Sequence, residues 1–275
     1  MLEKEEPKYF YCYATANDRK HYLRDIRNLI RLKNAVPGVN EVFLYIAISK
    51  MKRLNLLDKL FAGTIKNLFV SHQYFELKEI FFKENKGRDF SSYASLIRKL
   101  LPEATENDYV FFQNRSAYGP FENGYFNRFI NQFNRFDNVA LCGSTINFAN
   151  RDQQKFSLPH VQTYTFFTRL KYLKMILKDF PGEHETEREK IIHEGEIGLS
   201  QFFLERNFGI TCLEWPSSLV KKDSPPLASD DIKEYVTAQH PYYHRQYFRR
   251  HKKERKRNKV LQPLGIFLFA FFKSH

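Results

Sequence analysis

The 275-residue chain is poor in the residues that mark fibrous, low-complexity and disulfide-rich proteins. Glycine and proline number only 11 each, which excludes collagen-like and low-complexity classes and predicts a globule with few flexible linkers. Cysteine occurs three times, at Cys12, Cys142 and Cys212, far apart and without paired spacing. This odd, scattered set predicts neither a disulfide framework nor a zinc site, and it is typical of a reducing compartment.

The chain also lacks a long apolar run and a secretory N-terminus. Its longest strongly apolar stretch, residues 264–272, falls far short of the roughly 20 residues that a membrane-spanning helix needs. The first six residues are mostly charged, whereas a signal peptide begins with basic residues followed by an apolar run. We therefore expect a cytoplasmic protein, either free or peripheral on the cytoplasmic face of a membrane.

Basic residues are in excess, and the excess is local. The chain has 44 Lys or Arg against 31 Asp or Glu, a net charge of +13. Residues 245–259 carry +8 of it, which leaves +5 for the other 260 residues. Such a run predicts an anionic partner, and we expect an anionic membrane surface rather than nucleic acid, because no nucleic-acid-binding motif occurs elsewhere. The chain thus divides into a globular domain, 1–244, and a basic, then Phe-rich segment, 245–275.

Strand-like and helix-like patterns alternate along the globular domain, in which 43% hydrophobic content and 28 Phe provide for a sizeable core. Runs rich in β-branched and aromatic residues predict strands at 9–14, 42–48, 80–83, 109–113, 139–143 and 161–167. Apolar residues at helical spacing predict helices over 22–33, 90–101, 121–136, 170–180 and 197–206. The alternation predicts an α/β fold, a mostly parallel sheet flanked by helices, with ligands bound beyond the carboxyl ends of its strands.

Four short motifs occur in an order that resembles one family. They are Asn85-x-Gly87-x-Asp89, Asn114-x-Ser116-x-x-Gly119-Pro120-Phe121, Pro159-His160-Val161-Gln162 and Glu196-Ile197-Gly198-Leu199-Ser200. Over about residues 9–243 the chain resembles polysaccharide-assembly glycosyltransferases similar to the rhamnan-synthesis proteins. The resemblance implies a GT-A-like, Rossmann-type fold and hexosyl or pentosyl transfer from a nucleotide-sugar donor to a surface polysaccharide or glycoprotein glycan.

The segment Asn114, Arg115, Ser116 departs from this family. Relatives often have Ser or Asp at the position of Arg115, and many have Arg at that of Tyr118, so the use of Mg²⁺ or Mn²⁺ stays open. A hard cation prefers carboxylates, and Asn114 and Ser116 are weak candidate ligands. Either these residues form a weak metal site with phosphate oxygens, or Arg115 takes part of the metal's electrostatic role, or the segment is only a tight turn.

A nucleotide-sugar brings a diphosphate, which needs cations or backbone N–H groups directed at it. Asn85, Lys86, Gly87 and Asp89 precede a predicted helix and are candidates for donor binding. Further candidates for donor binding follow predicted strands: Thr15 after the first, and Asn114, Arg115 and Ser116 after the strand at 109–113. The alternative is purely structural. Asp89 would then cap the helix and Gly87 would shape a turn.

Inverting transfer needs a base that takes the proton of the acceptor hydroxyl. Glu196 and Glu194 stand at a predicted helix start and are the candidates, with Glu196 favoured by the resemblance. Acidic residues are also common in a first helical turn without any catalytic role. His160 and Gln162 occupy alternate positions of a predicted strand, hence one face, where they can bind an acceptor sugar, although a buried structural histidine explains His160 equally well.

Two other functions stay open. The basic run can serve a nucleic-acid-binding or scaffold protein, and a sugar-nucleotide fold can persist after catalysis is lost. Nucleotide binding that survives moderate salt would favour a pocket over nonspecific electrostatic attraction.

Overall fold

The computed structural model describes residues 6–148, 158–227 and 239–245. Its strands are β1 Tyr9–Ala16, β2 Val42–Lys50, β3 Phe75–Glu84, β4 Tyr109–Asn114, β5 Ala117–Tyr118, β6 Val139–Gly143, β7 Ile146–Asn147, β8 His160–Val161, β9 Thr165–Arg169, β10 Gly209–Cys212 and β11 Tyr243–His244. Its α-helices are α1 Tyr22–Asn34, α2 Leu56–Phe69, α3 Arg88–Leu100, α4 Tyr125–Phe133, α5 Leu170–Ile176, α6 Arg188–Lys190 and α7 Gly198–Leu204. A 3-10 turn, Leu177–Asp179, follows α5, and a π-helical segment, Ile191–Ile197, joins α6 to α7.

Seven strands form one central sheet in the order β10-β6-β9-β4-β1-β2-β3. The pairs β1–β2, β2–β3, β1–β4 and β6–β10 are parallel, whereas β9 is antiparallel to β4 and β6. Helices between the strands cover the sheet, because parallel neighbours need a crossover connection. The expected fold class is confirmed: the chain is α/β, with a GT-A-like, Rossmann-type, mostly parallel central sheet flanked by helices.

Aromatic side chains fill the core around β1 and β4. The ring of Tyr11 stacks on that of Phe111 with centroids 4.9 Å apart, and Phe129 meets Phe111 edge-on at the same distance. Such pairs add about 0.5–1.5 kcal/mol each beyond their buried area. The three cysteines are buried and free. The central strands are therefore held by packing on both faces, which fixes the positions of the loops that follow them.

Several predicted elements differ from the structure. The strand expected at 161–167 is two strands, His160–Val161 and Thr165–Arg169, because the chain turns between them and joins different sheets. The helix expected at 121–136 is shorter and begins after Gly124, whose φ of 72° is not helical. The strand expected at 80–83 extends over all of β3, whose partly exposed edge position weakens the alternation that would have revealed its length.

The described C-terminal piece, residues 239–245, lies against the loop that follows β4. β11 pairs with β5 in antiparallel fashion, and the backbone N–H of Arg245 donates to the carbonyl of Ser116 at 2.8 Å. Most of the basic run and all of residues 264–272 lie outside the described residues. Among the described helices, none has the length and apolarity to cross a membrane.

Candidate functional site

The order of the sheet reverses at β1. The chain passes from β1 to β2 and β3 on one side of this strand, and then returns from β3 to place β4 on its other side. Ligands of open α/β sheets bind at such a reversal, outside the carboxyl ends of the strands. We call the polar group found there the switch-point site; it consists of Asp18, Asp25, Asp89, Asn114, Arg115 and Glu196.

Arg115 follows β4 and turns back toward β1. Its Nη1 lies 2.9 Å from Oδ2 of Asp18, and its Nη2 donates to Oδ2 of Asp25 and, at 2.8 Å, to the carbonyl of Ala16. Burial lowers the pKa of Arg115, but Asp25 and Asp18 more than offset this and keep it above the ordinary value. Arg115 is thus a fixed cation between two carboxylates rather than a solvated side chain of a turn.

Asp25 is fully buried, and its carboxylate accepts hydrogen bonds from three side chains. The hydroxyl of Tyr13 donates to its Oδ1 and that of Thr15 to its Oδ2, both at 2.9 Å, in addition to Arg115. Thr15, a predicted donor-binding residue, is itself almost fully buried. Its hydroxyl therefore orients Asp25, and any effect on a ligand passes through that carboxylate.

Further positive charge surrounds His21, the residue before α1. Burial lowers the pKa of His21 to about 4, and the nearby charges of Arg24, Arg115 and Arg245 act in the same direction while Asp18 opposes them. The Nη1 atom of Arg24 is buried and finds no hydrogen-bond partner in the described chain. The charges of three guanidinium groups therefore disfavour the protonated form of His21, whose Nε2 lies 3.7 Å from Oδ2 of Asp18.

Asp89 and Asn114 join the first turn of α3 to the end of β4. The amide nitrogen of Asn114 donates to Oδ2 of Asp89 at 2.8 Å, while its oxygen accepts the backbone N–H of Ser116 at the same distance. Burial raises the pKa of Asp89 against the opposing charges of Arg115 and Arg88. The structure assigns the cap position to Gly87, so Asp89 does not cap the helix and its carboxylate is held by Asn114.

Lys83 ends β3 beside this group. Its ammonium donates to the hydroxyl of Ser91 at 2.6 Å, and burial lowers its pKa to about 8. Asn85 and Lys86, two of the predicted donor-binding residues, are exposed on the following loop. The end of β3 therefore places one half-buried ammonium, that of Lys83, and the exposed side chains of Asn85 and Lys86 beside the switch-point site.

Backbone conformation and close packing both require glycine at position 87. Its φ of +60° is left-handed, and a Cβ there would lie 2.0 Å from the carbonyl oxygen of Glu183. The backbone of the loop at Glu183 therefore approaches Gly87 closely, and donor binding by Gly87 stays a prediction. That loop also accepts the N–H of Gly87 at the carbonyl of Glu185, 2.9 Å away.

The prediction that Glu194 and Glu196 stand at the start of a helix is wrong. The helix starts at α6, so both residues lie inside the π-helical segment, where the first-turn explanation does not apply. Glu194 has a side chain 60% exposed and pairs with His193 at 3.3 Å. Glu196 is half-buried, and no described residue forms a hydrogen bond or ion pair with its carboxylate.

Close packing brings Glu196 toward Asp89. A Cβ on Gly195 would lie 2.6–2.9 Å from ring atoms of Phe90, so the π-helical segment lies directly on the first turn of α3. After burial, the charges of Asp89 and Glu196 both raise the pKa of Tyr93 well above its ordinary value. The two carboxylates therefore share one neighbourhood, and π-helical turns are frequent at functional sites.

The predicted acceptor residues do not lie side by side on one strand face. His160 is buried in β8, and its Nδ1 lies 2.8 Å from the carbonyl of Leu158. The strand ends at Val161, so Gln162 does not continue one face with His160; its N–H donates to the carbonyl of Thr145 at 3.1 Å. The expectation that both share a strand face is wrong because the chain turns after Val161.

Sequence reasoning missed Asp25, His21, Arg24 and Lys83. Asp25 stands three residues after Tyr22 and four before Leu29, on the face of α1 that packs on the sheet. A charged residue on an otherwise apolar helical face was the available signal, because buried charges must be paired. No local pattern marks Lys83, because its ammonium contacts residues from three separate chain segments, Ser49, Glu84 and Ser91.

The described residues assemble no complete set of ligands for a divalent cation. Among them, no group of three or more His, Cys, Asp or Glu is arranged to hold a metal ion. Asp25 accepts hydrogen bonds from three donors, and Oδ2 of Asp18 is taken by Arg115, whereas Oδ1 of Asp18 is buried and has no hydrogen-bond partner among the described residues. Mg²⁺ needs near-octahedral oxygen ligation, which Asn114 and Ser116 do not supply while the amide oxygen of Asn114 accepts the N–H of Ser116.

A surface cavity of about 680 Å³ lies elsewhere, between the end of α2 and the start of β3. Its lining includes Lys66, His72, Glu76 and Lys78 but none of the predicted site residues. The cavity lies at the β3 edge of the sheet, and two strands, β1 and β2, lie between β3 and β4. We therefore place the candidate site at the sheet reversal, where buried charges are concentrated.

Comparisons with known proteins do not assign the chain to a family. No family model matches the chain. No curated protein matches it. A solved structure of 4-diphosphocytidyl-2C-methyl-D-erythritol synthase is similar over 80% of this chain and 91% of that chain, with 9% identity and a TM-score of 0.38. A likeness of that size bears on neither activity nor substrate, and membership of the rhamnan-synthesis family stays a prediction.

Proposed function

We propose that this protein is a glycosyltransferase that moves a sugar from a nucleotide-sugar donor to a growing glycan with inversion at the anomeric carbon. The observation that carries the proposal is the switch-point site, where fixed guanidinium groups and the half-buried carboxylate of Glu196 lie at the ligand-binding end of an α/β sheet. Cations there suit the diphosphate of a donor, and the carboxylate suits the proton of an acceptor. The order of motifs in the sequence supports the same reaction class.

In the proposed reaction the acceptor hydroxyl oxygen attacks the anomeric carbon from the face opposite the diphosphate. The bond from that carbon to the phosphate oxygen breaks, and its electron pair leaves with the nucleoside diphosphate. Glu196 takes the acceptor proton, because its carboxylate has no described partner that would hold it away from substrate. Arg115 stabilises the charge that develops on the leaving group, as fixed cations do in a water-poor site.

The donor's phosphates would meet Lys83 and Lys86 around the end of β3, and its sugar or ribose would meet Asp89 in the first turn of α3 and Asn114 at the end of β4. Because Asp89 is held by Asn114, its carboxylate is oriented before any ligand arrives. A sugar brings hydroxyl groups that donate to carboxylates, so Asp89 suits the sugar or ribose rather than the phosphates. We place this reaction in the cytoplasm or at the cytoplasmic face of a membrane, with the basic run as the contact to anionic lipid.

A binding screen tests the proposal. The melting temperature of the full chain is measured with UDP, GDP, CDP and dTDP, with their sugar conjugates, and with a single-stranded oligonucleotide, at low and at moderate salt. We expect a nucleotide-specific stabilisation that persists at moderate salt, followed by release of nucleoside diphosphate from the stabilising conjugate. Stabilisation by the oligonucleotide alone, fading steeply with salt, would instead favour a nucleic-acid-binding protein that uses residues 245–259.

A further inference from the structure

Among the described residues, β3 forms an open edge of the central sheet. It pairs with β2 along one side, and no described strand pairs with its other side. An edge strand of ten residues presents a row of unpaired N–H and C=O groups to which another chain can pair. Its pairing with β2 is regular from Glu79 to Glu84, because Lys78 is an extra residue opposite the step from Leu44 to Tyr45. The regular stretch 79–84 is therefore the part of β3 best suited to a further strand.

Apolar side chains in this stretch are only partly covered. Ile80, Phe81 and Phe82 are half-buried, whereas the residues opposite them in β2, 46–48, are fully buried. Successive side chains of a strand point to opposite faces, so β3 exposes apolar surface on both faces of the sheet. A further strand beside β3 covers both faces at once, whereas a helix covers only one.

Charged side chains flank the apolar ones on the face that carries α3. Glu79 pairs with Lys99 at 2.7 Å, and the ammonium of Lys83 donates to the hydroxyl of Ser91 at 2.6 Å. Phe81 shares this face, since the ammonium of Lys99 lies 5.4 Å from the centre of its ring. An acid, an aromatic ring and a base therefore follow one another along one face of β3. Charges on an edge strand normally prevent pairing with another strand.

The same charges favour one register for a second copy of β3. A two-fold axis between two antiparallel copies of a strand runs perpendicular to the sheet, so one residue must lie opposite its own copy. Within 79–84, centring on a charged residue sets like charges opposite each other, and centring on Ile80 or Phe82 pairs no opposite charges. Centring on Phe81 sets Glu79 opposite Lys83 twice. It also sets Ile80 opposite Phe82 twice, and both kinds of cross-strand pair stabilise a sheet.

We infer that the protein forms a two-fold symmetric dimer in which β3 pairs in antiparallel fashion with β3 of a second copy, centred on Phe81. The two seven-stranded sheets join into one sheet of fourteen strands. The carboxylate of Glu79, which pairs with Lys99 in its own chain, gains Lys83 of the second copy as a further cation. Because the copies run in opposite directions, their switch-point sites lie at opposite edges of the joined sheet. The dimer does not depend on the proposed function.

Cysteine scanning tests the register. The two copies of residue 81 have Cα atoms about 4.5–5.5 Å apart in this dimer, within reach of a disulfide, whereas the copies of residue 80 or of residue 82 are about 8 Å apart. With copper phenanthroline in air as oxidant, we expect a covalent dimer of Phe81→Cys on a nonreducing gel. We expect little or none from Ile80→Cys, from Phe82→Cys or from the wild type, whose three cysteines are buried. Equal crosslinking at all three positions, or none in Phe81→Cys, would overturn the inference.

Charge variants test the same surface with every aromatic ring in place. The mass of the full chain is measured by light scattering over about 5–50 μM, and we expect the wild type to reach the mass of two chains. Glu79→Lys sets a lysine opposite Lys83 twice, so we expect its dimer to dissociate at least about ten-fold more readily.

The matched control is Lys99→Gln. It removes the same ion pair within the chain but leaves Glu79 opposite Lys83, so we expect a dimer whose dissociation constant is within about two-fold of the wild type. Similar melting temperatures of Lys99→Gln and Glu79→Lys, measured at a concentration where both are monomeric, would show that both variants fold. A wild type that stays monomeric, as it would if another segment of its own chain covered β3, would contradict the dimer. A dimer that Glu79→Lys leaves intact would place the interface elsewhere.

Discussion

Replacing Glu196 by Gln separates catalysis from structure in this site. The amide keeps the shape of the carboxylate but cannot take the proton of an attacking hydroxyl. Because no described residue pairs with that carboxylate, the change removes no hydrogen bond, and we expect the free energy of unfolding to shift by less than about 0.5 kcal/mol. Turnover should fall by about 100-fold to 10,000-fold, the usual contribution of a general base.

The assay needs no known acceptor. Transfer to water releases nucleoside diphosphate from whichever donor stabilises the protein, and the rate is measured at saturating donor beside the dissociation constant of the donor and the melting temperature. We expect Glu196→Gln to lose turnover with donor affinity unchanged, which identifies an interaction made only in the transition state. Glu194→Gln is the control, since its exposed carboxylate pairs with His193 and with no other described residue, and the loss of turnover should be much smaller. A fully active Glu196→Gln enzyme would refute the assignment.

Four further predictions concern binding and stability. Asp89→Ala should weaken donor affinity about ten-fold and cost about 1 kcal/mol of stability for the bond to Asn114, and unchanged affinity would show a purely structural role. Burial lowers the pKa of His21 from 6.5 to about 4, so between these pH values the unfolded chain binds a proton that the folded chain does not, and the free energy of unfolding falls as pH drops from 6.5 to 4. Urea titrations should show a loss of up to about 3 kcal/mol over this range, and His21→Gln should not show it. The Lys83 ammonium, with a pKa of about 8, loses its proton as pH rises, so nucleotide affinity should fall up to about ten-fold between pH 7 and 9, but not in Lys83→Arg. The full chain should sediment with anionic liposomes at low salt through residues 245–275, at about 1 kcal/mol for each basic residue near the surface, and failure to sediment would contradict the membrane role.

Local patterns in the sequence determine the strands and helices of the core. The apolar runs at β1, β2, β4 and β6 and the helical spacing of α3 follow from the side-chain periods of strand and helix, which depend only on neighbours along the chain. The alternation of these elements then predicts the α/β class, since parallel strands require covering helices. The motif residues Asp89, Asn114 and Arg115 could be named from sequence because they follow strands or precede a helix.

Only the tertiary structure decides what those residues do. Arg115 meets Asp18 and Asp25 across about 90 residues of chain, and this pairing depends on β4 lying beside β1 rather than beside β3. The sequence places Glu196 at the start of a helix, where acidic residues are favoured. In the structure Glu196 lies inside a π-helical segment, and the packing of Gly195 on Phe90 brings this segment close to Asp89. Periodicity fixes which face of an element is buried, whereas charge pairing depends on distances between elements, and those are set by the order in which the strands assemble.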